Sequence, residues 1–317
     1  MSSHDLFSQS VRALSEARFK EYEREMLRQK AFAERANRLN ENREKRRREF
    51  LSSIGTDLKK LDQAVEQDNK SEEAALQSFL KEFRGEVANR RPSRATDAKD
   101  AAIQTQVLSE GGHLVLPVFA SSIFASDIGQ FKDISGLDWT NGEINSGWVF
   151  PDDPSLIRIK DTRHYPNALC WDNRWDSPPE FAVHFTFVPA TTATYEMTAI
   201  LAFHGFYVLR SDDSWWNCRD AEVILDVKIS VHQYVNTSWK DFPLLDVESQ
   251  NIDTVTSYDR THFMDYTAGL RAGDPVVVTV QGTVKATAHG AGAYAELNFA
   301  DGTANYIQPL FLSVLQV

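Results

Sequence analysis

Between residues 181 and 299 the chain places an apolar side chain at every second position, in five separate stretches. Val223, Leu225, Val227, Ile229 and Val231 share one direction, while Glu222, Asp226, Lys228, Ser230 and His232 share the other, with Ile224 the exception. Val276, Val278, Val280, Val284 and Ala286 alternate with Thr279, Gln281, Thr283 and Lys285. Phe181 to Phe187, Tyr195 to Phe203 and Ala293 to Phe299 repeat the pattern. A period of two with one apolar side specifies antiparallel strands packed on one face. Two such sheets laid face to face hide both apolar sides. Turn formers separate the runs at Pro151–Pro154, Ser211–Ser214, Ala272–Pro275 and Asp301–Gly302. No long amphipathic helix alternates with the strands, which argues against a parallel α/β sheet. Residues 106–317 therefore read as an antiparallel β-sandwich head of jelly-roll type, with about eight to ten strands. The final run, Tyr306 to Val317, is apolar on both faces and reads as a central strand or one buried in a subunit contact.

Residues 1–90 obey a different rule. They are rich in Glu, Arg, Lys, Ala and Leu and hold no Pro, as a helical segment requires. The first hundred residues carry 22 Lys+Arg and 19 Asp+Glu, whereas residues 101–317 carry 12 and 26. A weakly basic arm thus precedes a strongly acidic head. Pro92 and its basic neighbours mark residues 91–105 as a linker. Leu51, Ile54, Leu58, Leu61 and Val65 step by three and four, the spacing of a coiled-coil seam. Leu76, Leu80, Phe83 and Val87 continue it. So narrow a stripe needs a partner: a second copy, a neighbouring helix or another protein. Gly55 and Asp68–Ser71 are expected breaks, with Ser71 capping a new helix. The pieces can form an extended stalk or fold back as a short bundle. The fold class expected is multi-domain: a long helical or coiled-coil segment, then an all-β sandwich.

The run Arg43 to Arg48 resembles a nucleic-acid or nuclear-targeting patch. Glu41, Glu44 and Glu49 interleave it, which favours a solvated helix face and argues against nucleic acid as partner. No stretch approaches the roughly 20 apolar residues of a membrane helix. The start lacks the charged-then-apolar order of a secretory signal, so the expected location is cytoplasmic, or outside the cell by release without a signal peptide. The plan is similar in outline to trimeric phage and injection-machine fibres and to complement-type or tumour-necrosis-type heads on coiled coils. That likeness is one of architecture and implies a homo-oligomer, with a trimer as the natural number.

Chemistry is sparsely marked. The head's histidines stand singly, without the paired spacing of metal ligands, so no metal or cofactor is expected. HExxH, P-loop and GxSxG motifs are absent. Cys170 and Cys218 read as buried thiols in a reducing compartment. Aromatic and acidic residues coincide in two expected loops. Trp171, Asp172, Asn173 and Trp175 form one; Asp212, Asp213, Trp215 and Trp216 form the other. Such sets can stack on a sugar ring and bind its hydroxyls, serve as a protein hot spot, or plug the ends of the sandwich. The sequence favours a non-enzymatic structural or binding protein, whose helices assemble or dock it and whose head recognises protein or glycan. It leaves open a carbohydrate-active hydrolase or lyase on a jelly roll, and an effector or toxin component whose helices engage a partner or a membrane.

Overall fold

The computed structural model describes residues 3–88, 112–127, 130–135, 148–149, 156–164, 178–211, 220–233, 236–249, 253–290 and 292–317. Two helices, α1 (Ser3–Ser53) and α2 (Leu58–Ala88), precede the strands. The strands are β1 (His113–Val115), β2 (Pro117–Asp127), β3 (Gln130–Ser135), β4 (Trp148–Val149), β5 (Ile157–Arg158), β6 (Lys160–His164) and β7 (Glu180–Phe187), followed by β8 (Ala193–Arg210), β9 (Asp220–Gln233), β10 (Asn236–Ser249), β11 (Asp253–Leu270), β12 (Val276–His289), β13 (Tyr294–Asn298) and β14 (Tyr306–Gln316).

The alternating runs become strands with their apolar sides turned inward, as expected. One sheet runs β10-β9-β12-β7-β2-β3. The other runs β4-β5-β14-β8-β13-β6, with β1 on β14 and β11 on β8. Every pairing among the described strands is antiparallel. The inward sides interleave as one core: Val223 to Val231 of β9, Val276 to Ala288 of β12, and Met197, Ala199, Leu201 and Phe203 of β8. Gly282 falls on that inward side of β12, where a Cβ would collide with the Phe181 ring, so the missing side chain makes room for the aromatic. β14 is interior, flanked by β8 on one side and by β1 and β5 on the other. This is the central position its two apolar faces require.

The helices differ from expectation in two respects: one expected break is missing, and the apolar stripe of α2 packs on the chain's own sheet and not on a second copy, a neighbouring helix or another protein. The chain does turn at Gly55, which has a φ of 87°. Asp57 then caps α2, its Oδ1 accepting from the amides of Lys59 and Lys60 at 3.1 and 3.2 Å. The second expected break is absent: α2 continues unbroken through Asp68–Ser71, and Ser71 caps nothing. Pairs four residues apart, Glu66 with Lys70 and Glu73 with Gln77, brace that stretch. Continuity also keeps Leu76, Leu80 and Phe83 on one face.

That face meets the chain's own sheet. Leu76, Leu80 and Phe83 are buried against Phe206 and Val208 of β8 and Tyr294 of β13. The Phe83 and Phe206 rings meet edge to face at 5.1 Å. β8 is thus covered on both sides, by the core and by α2. Charged contacts border the apolar patch. Arg210, itself buried, reaches Glu72 at 3.3 Å, the Gly292 carbonyl at 3.0 Å and Asp253 at 3.5 Å. His164 donates Nδ1 to the Ala293 carbonyl and meets the Glu73 carboxylate through Nε2 at 2.7 Å. Burial pulls the Glu73 carboxyl upward, yet Gln77, His164 and Arg210 together hold it below the usual carboxylate range. On the other sheet, α1 lies against β2, β3 and β7, with Tyr22 fully buried and its hydroxyl donating to the Pro178 carbonyl at 3.1 Å.

Candidate recognition surface

Helices cover part of each sheet's outer side. The outer side of β9, β10 and β12 is built from the polar half of the alternating pattern. Cross-strand register sets its neighbours: Trp239 opposite Ser230, Asp241 opposite Lys228, Pro243 opposite Asp226, Asp246 opposite Ile224, and Glu248 opposite Glu222. A bulge between Pro243 and Leu245 absorbs one extra residue and keeps the acids on the outer side across the irregularity. On the far side of β9, β12 contributes Lys285 opposite Ile224 and Gln281 opposite Lys228.

Among the described side chains the one tryptophan is Trp239, and it is 55% exposed. Its ring carries the Lys228 ammonium at 4.6 Å, a cation–π contact. Glu222, Asp226, Asp241, Asp246 and Glu248 line the same face, against the two ammonium groups Lys228 and Lys285. Lys285 reaches Glu222 at 3.3 Å. Asp226 is pushed above the ordinary carboxylate range, first by burial and then by the charge of Asp246, with Lys285 opposing and Asp241 adding to the repulsion. Like charges facing one another on a sheet are unfavourable. The face therefore carries a net negative field beside a large exposed ring.

A polar row crosses to β7, where His184 Nδ1 meets Thr279 Oγ1 at 2.9 Å. His184 Nε2 is buried with no hydrogen-bond partner among the described residues. Burial first, and His232 second, lower this ring to about 4, so it is neutral near pH 7. On the opposite sheet, Glu296 is buried and its carboxyl raised. Its oxygens accept from Tyr294 Oη and Asn298 Nδ2, each at 2.5 Å. Asn298 in turn accepts from the amides of Ala300 and Asp301, so this acid organises a turn. Among the described residues no three His, Cys, Asp or Glu side chains converge to hold a metal. No described helix is long and apolar enough to cross a membrane.

The loop residues singled out from the sequence, Trp171, Asp172, Asn173, Trp175, Asp212, Asp213, Trp215 and Trp216, lie outside the described residues, as do Cys170 and Cys218. The seam residues divide. Leu76, Leu80 and Phe83 serve the contact with β8; Leu51, Leu58, Leu61 and Val65 are half-buried; Ile54 is exposed; the Val87 side chain lies outside the described set. Trp239 did not stand out in the sequence. Its signal was its phase: it shares parity with Asp241 and sits opposite the polar side of the 222–232 run.

No family model matches the chain. No curated protein sequence matches it. Among solved structures it is similar to the carbohydrate-binding module TmCBM61 in complex with β-1,4-galactotriose, at 9% identity over 51% of this chain and 71% of that one, with a TM-score of 0.22. It is also similar to infectious bursal disease virus Gx strain, at 8% identity over 66% of this chain and 72% of that one, with a TM-score of 0.12. Superpositions this loose carry no argument about ligand or activity.

Proposed function

We propose that this chain is a non-enzymatic binding protein whose sandwich displays the outer face of β9, β10 and β12 to a cationic partner. The reading is carried by one observation: an exposed tryptophan on a face whose carboxylates outnumber its ammonium groups. A partner bearing guanidinium or ammonium groups relieves the repulsion around Asp226, and its apolar carbons cover Trp239. Tryptophan anchors of this kind dominate interface energetics. Charge complementarity adds speed and selectivity.

The test is calorimetric. The full chain is titrated with a synthetic helical peptide of alternating Arg and Leu heptads, and with a Glu-for-Arg control. Binding of the arginine peptide, weakened by 500 mM salt and lost in Trp239→Ala, is the expected result. An arginine peptide that fails to bind, or binds equally well to Trp239→Ala, refutes the reading. The exposed ring of Trp239, with Asp241 two residues along the same side of β10, also favours a glycan as a second reading, since aromatic rings stack on sugars. A glycan array separates the two: a Trp239-dependent sugar signal without peptide binding moves the assignment to carbohydrate.

A further inference from the structure

The basic run on α1 changes meaning once it is wound into a helix. Residues 28, 32, 35, 39, 43, 46 and 50 are separated by steps of three and four and so form one stripe. Its members are Arg28, Phe32, Arg35, Leu39, Arg43, Arg46 and Phe50. All are exposed, Phe32 at 75%, Leu39 at 57% and Phe50 at 62%. Of the acids that interleave them in sequence, Glu34, Glu41 and Glu44 fall on other sides of the cylinder, and Glu49 borders the stripe. Half-buried Glu44, Arg48 and Leu51 mark the flank turned to α2, where Arg48 forks onto Asp62 at 2.8 and 2.9 Å. Neutralisation by neighbours in sequence is therefore not neutralisation in space. From Arg28 to Phe50 the stripe holds no acid, although Glu25 continues its line three residues before Arg28, and its apolar side chains recur between the guanidinium groups.

The stripe and the face around Trp239 are complementary in charge, chemistry and length. Arginines meet carboxylates; Phe32, Leu39 and Phe50 find apolar counterparts in Trp239 and Pro243. From Arg28 to Phe50 the helix rises about 33 Å. From Trp239 to Glu248 the strand extends about 30 Å. Resting on the reading of that face given above, we infer that the occupant is a second copy of this chain, with the α1 stripe of one molecule lying along β9 and β10 of the next. Such a contact joins two different patches, so it propagates into a ring or an open chain of molecules and does not stop at a two-fold dimer.

Sedimentation velocity on the full chain tests this from about 0.1 to about 100 µM, a range that brackets a micromolar contact. The wild type is expected to gain mass with concentration in low salt and to return to monomer in high salt, because screening weakens exposed charge pairs. Two variants reverse one surface each: Arg35→Glu/Arg43→Glu/Arg46→Glu, and Asp226→Lys/Asp241→Lys/Asp246→Lys. Each alone is expected to need about tenfold or more protein to associate, since like charges then face one another. An equimolar mixture is expected to regain association, because each reversed surface meets its opposite. Circular dichroism of both variants checks that they are folded. A wild type that stays monomeric at every concentration and salt overturns the inference, as does association that the reversals leave unchanged. Monomers whose stripe binds anionic vesicles or single-stranded nucleic acid also overturn it, in favour of those partners. If the wild type is monomeric while the arginine peptide still binds at Trp239, the second-copy inference alone fails; if the peptide does not bind, the reading of the face fails with it.

Discussion

Replacing Leu76 by Ala perturbs the contact between α2 and the sandwich at its best-buried point, since Leu76 is 0% exposed. Leu76, Leu80 and Phe83 each contribute about 2 kcal/mol by burial, for a dock worth about 6 kcal/mol. Truncating a buried leucine costs about 3 kcal/mol once the cavity is included. The substitution thus removes about half of the dock, which corresponds to about 150-fold in the equilibrium for lifting the helix. The sandwich core formed by β9, β12 and the inner side of β8 does not include Leu76. Native-state hydrogen exchange resolves the two regions, because each opens with its own free energy. Protection of α2 amides around residues 74–83 is expected to fall about 100-fold, while β9 and β12 amides keep theirs. Leu61→Ala, at a half-buried position, is expected to do much less. Equal loss of protection in α2 and β12 would refute the separation of the two regions. An unchanged α2 would refute the dock.

Arg210→Ala removes contacts to Glu72, Gly292 and Asp253 at once. It is expected to cost about 2–3 kcal/mol in urea unfolding, with Arg210→Lys recovering less than half because an ammonium lacks the fork. His184 titrates near 4 in the folded chain against 6.5 for a free ring. The unfolded chain therefore takes up the proton first, so this group's contribution is whole above about 6.5 and declines as pH falls toward 4, by about 3 kcal/mol in total. Stability measured against pH for the wild type and His184→Gln is expected to diverge in that window, and parallel curves would contradict it.

The strands were legible because a two-residue period leaves little choice. The inward sets of β8, β9, β12 and β13 could be written from the chain alone, and for the double-sided run at residues 306–317 an interior strand was one of two readings. What covers the outer side of β8 was less plain, although a signal was present. From Ala199 to Leu209 the alternation lapses, with Ile200, Ala202, Phe206 and Val208 adding apolar weight to the polar side. A strand apolar on both sides needs cover on both sides. Leu76, Leu80 and Phe83 supply part of it, answering within the chain the need for a partner that the narrow stripe imposed. The expected cap at Ser71 failed because local capping preference is weaker than four-apart pairing plus a dock several residues further on. The α1 stripe was hidden for a different reason: charge read along a sequence averages over angles that a helix keeps apart. Trp239 was obscured by the bulge at Pro243, which breaks the alternation that would have tied it to Asp246 and Glu248.

The most direct measurement is a photocrosslink from the centre of the α1 stripe. A benzophenone side chain is placed at Leu39, and chains of normal and heavy isotope composition are mixed in equal amounts before irradiation. Mixed-isotope crosslinks are expected from position 39 into residues 222–248, and are expected to be lost in the Asp226→Lys/Asp241→Lys/Asp246→Lys variant. Crosslinks confined to single chains, or mixed-isotope crosslinks that fall elsewhere on the sandwich, would contradict the second-copy contact.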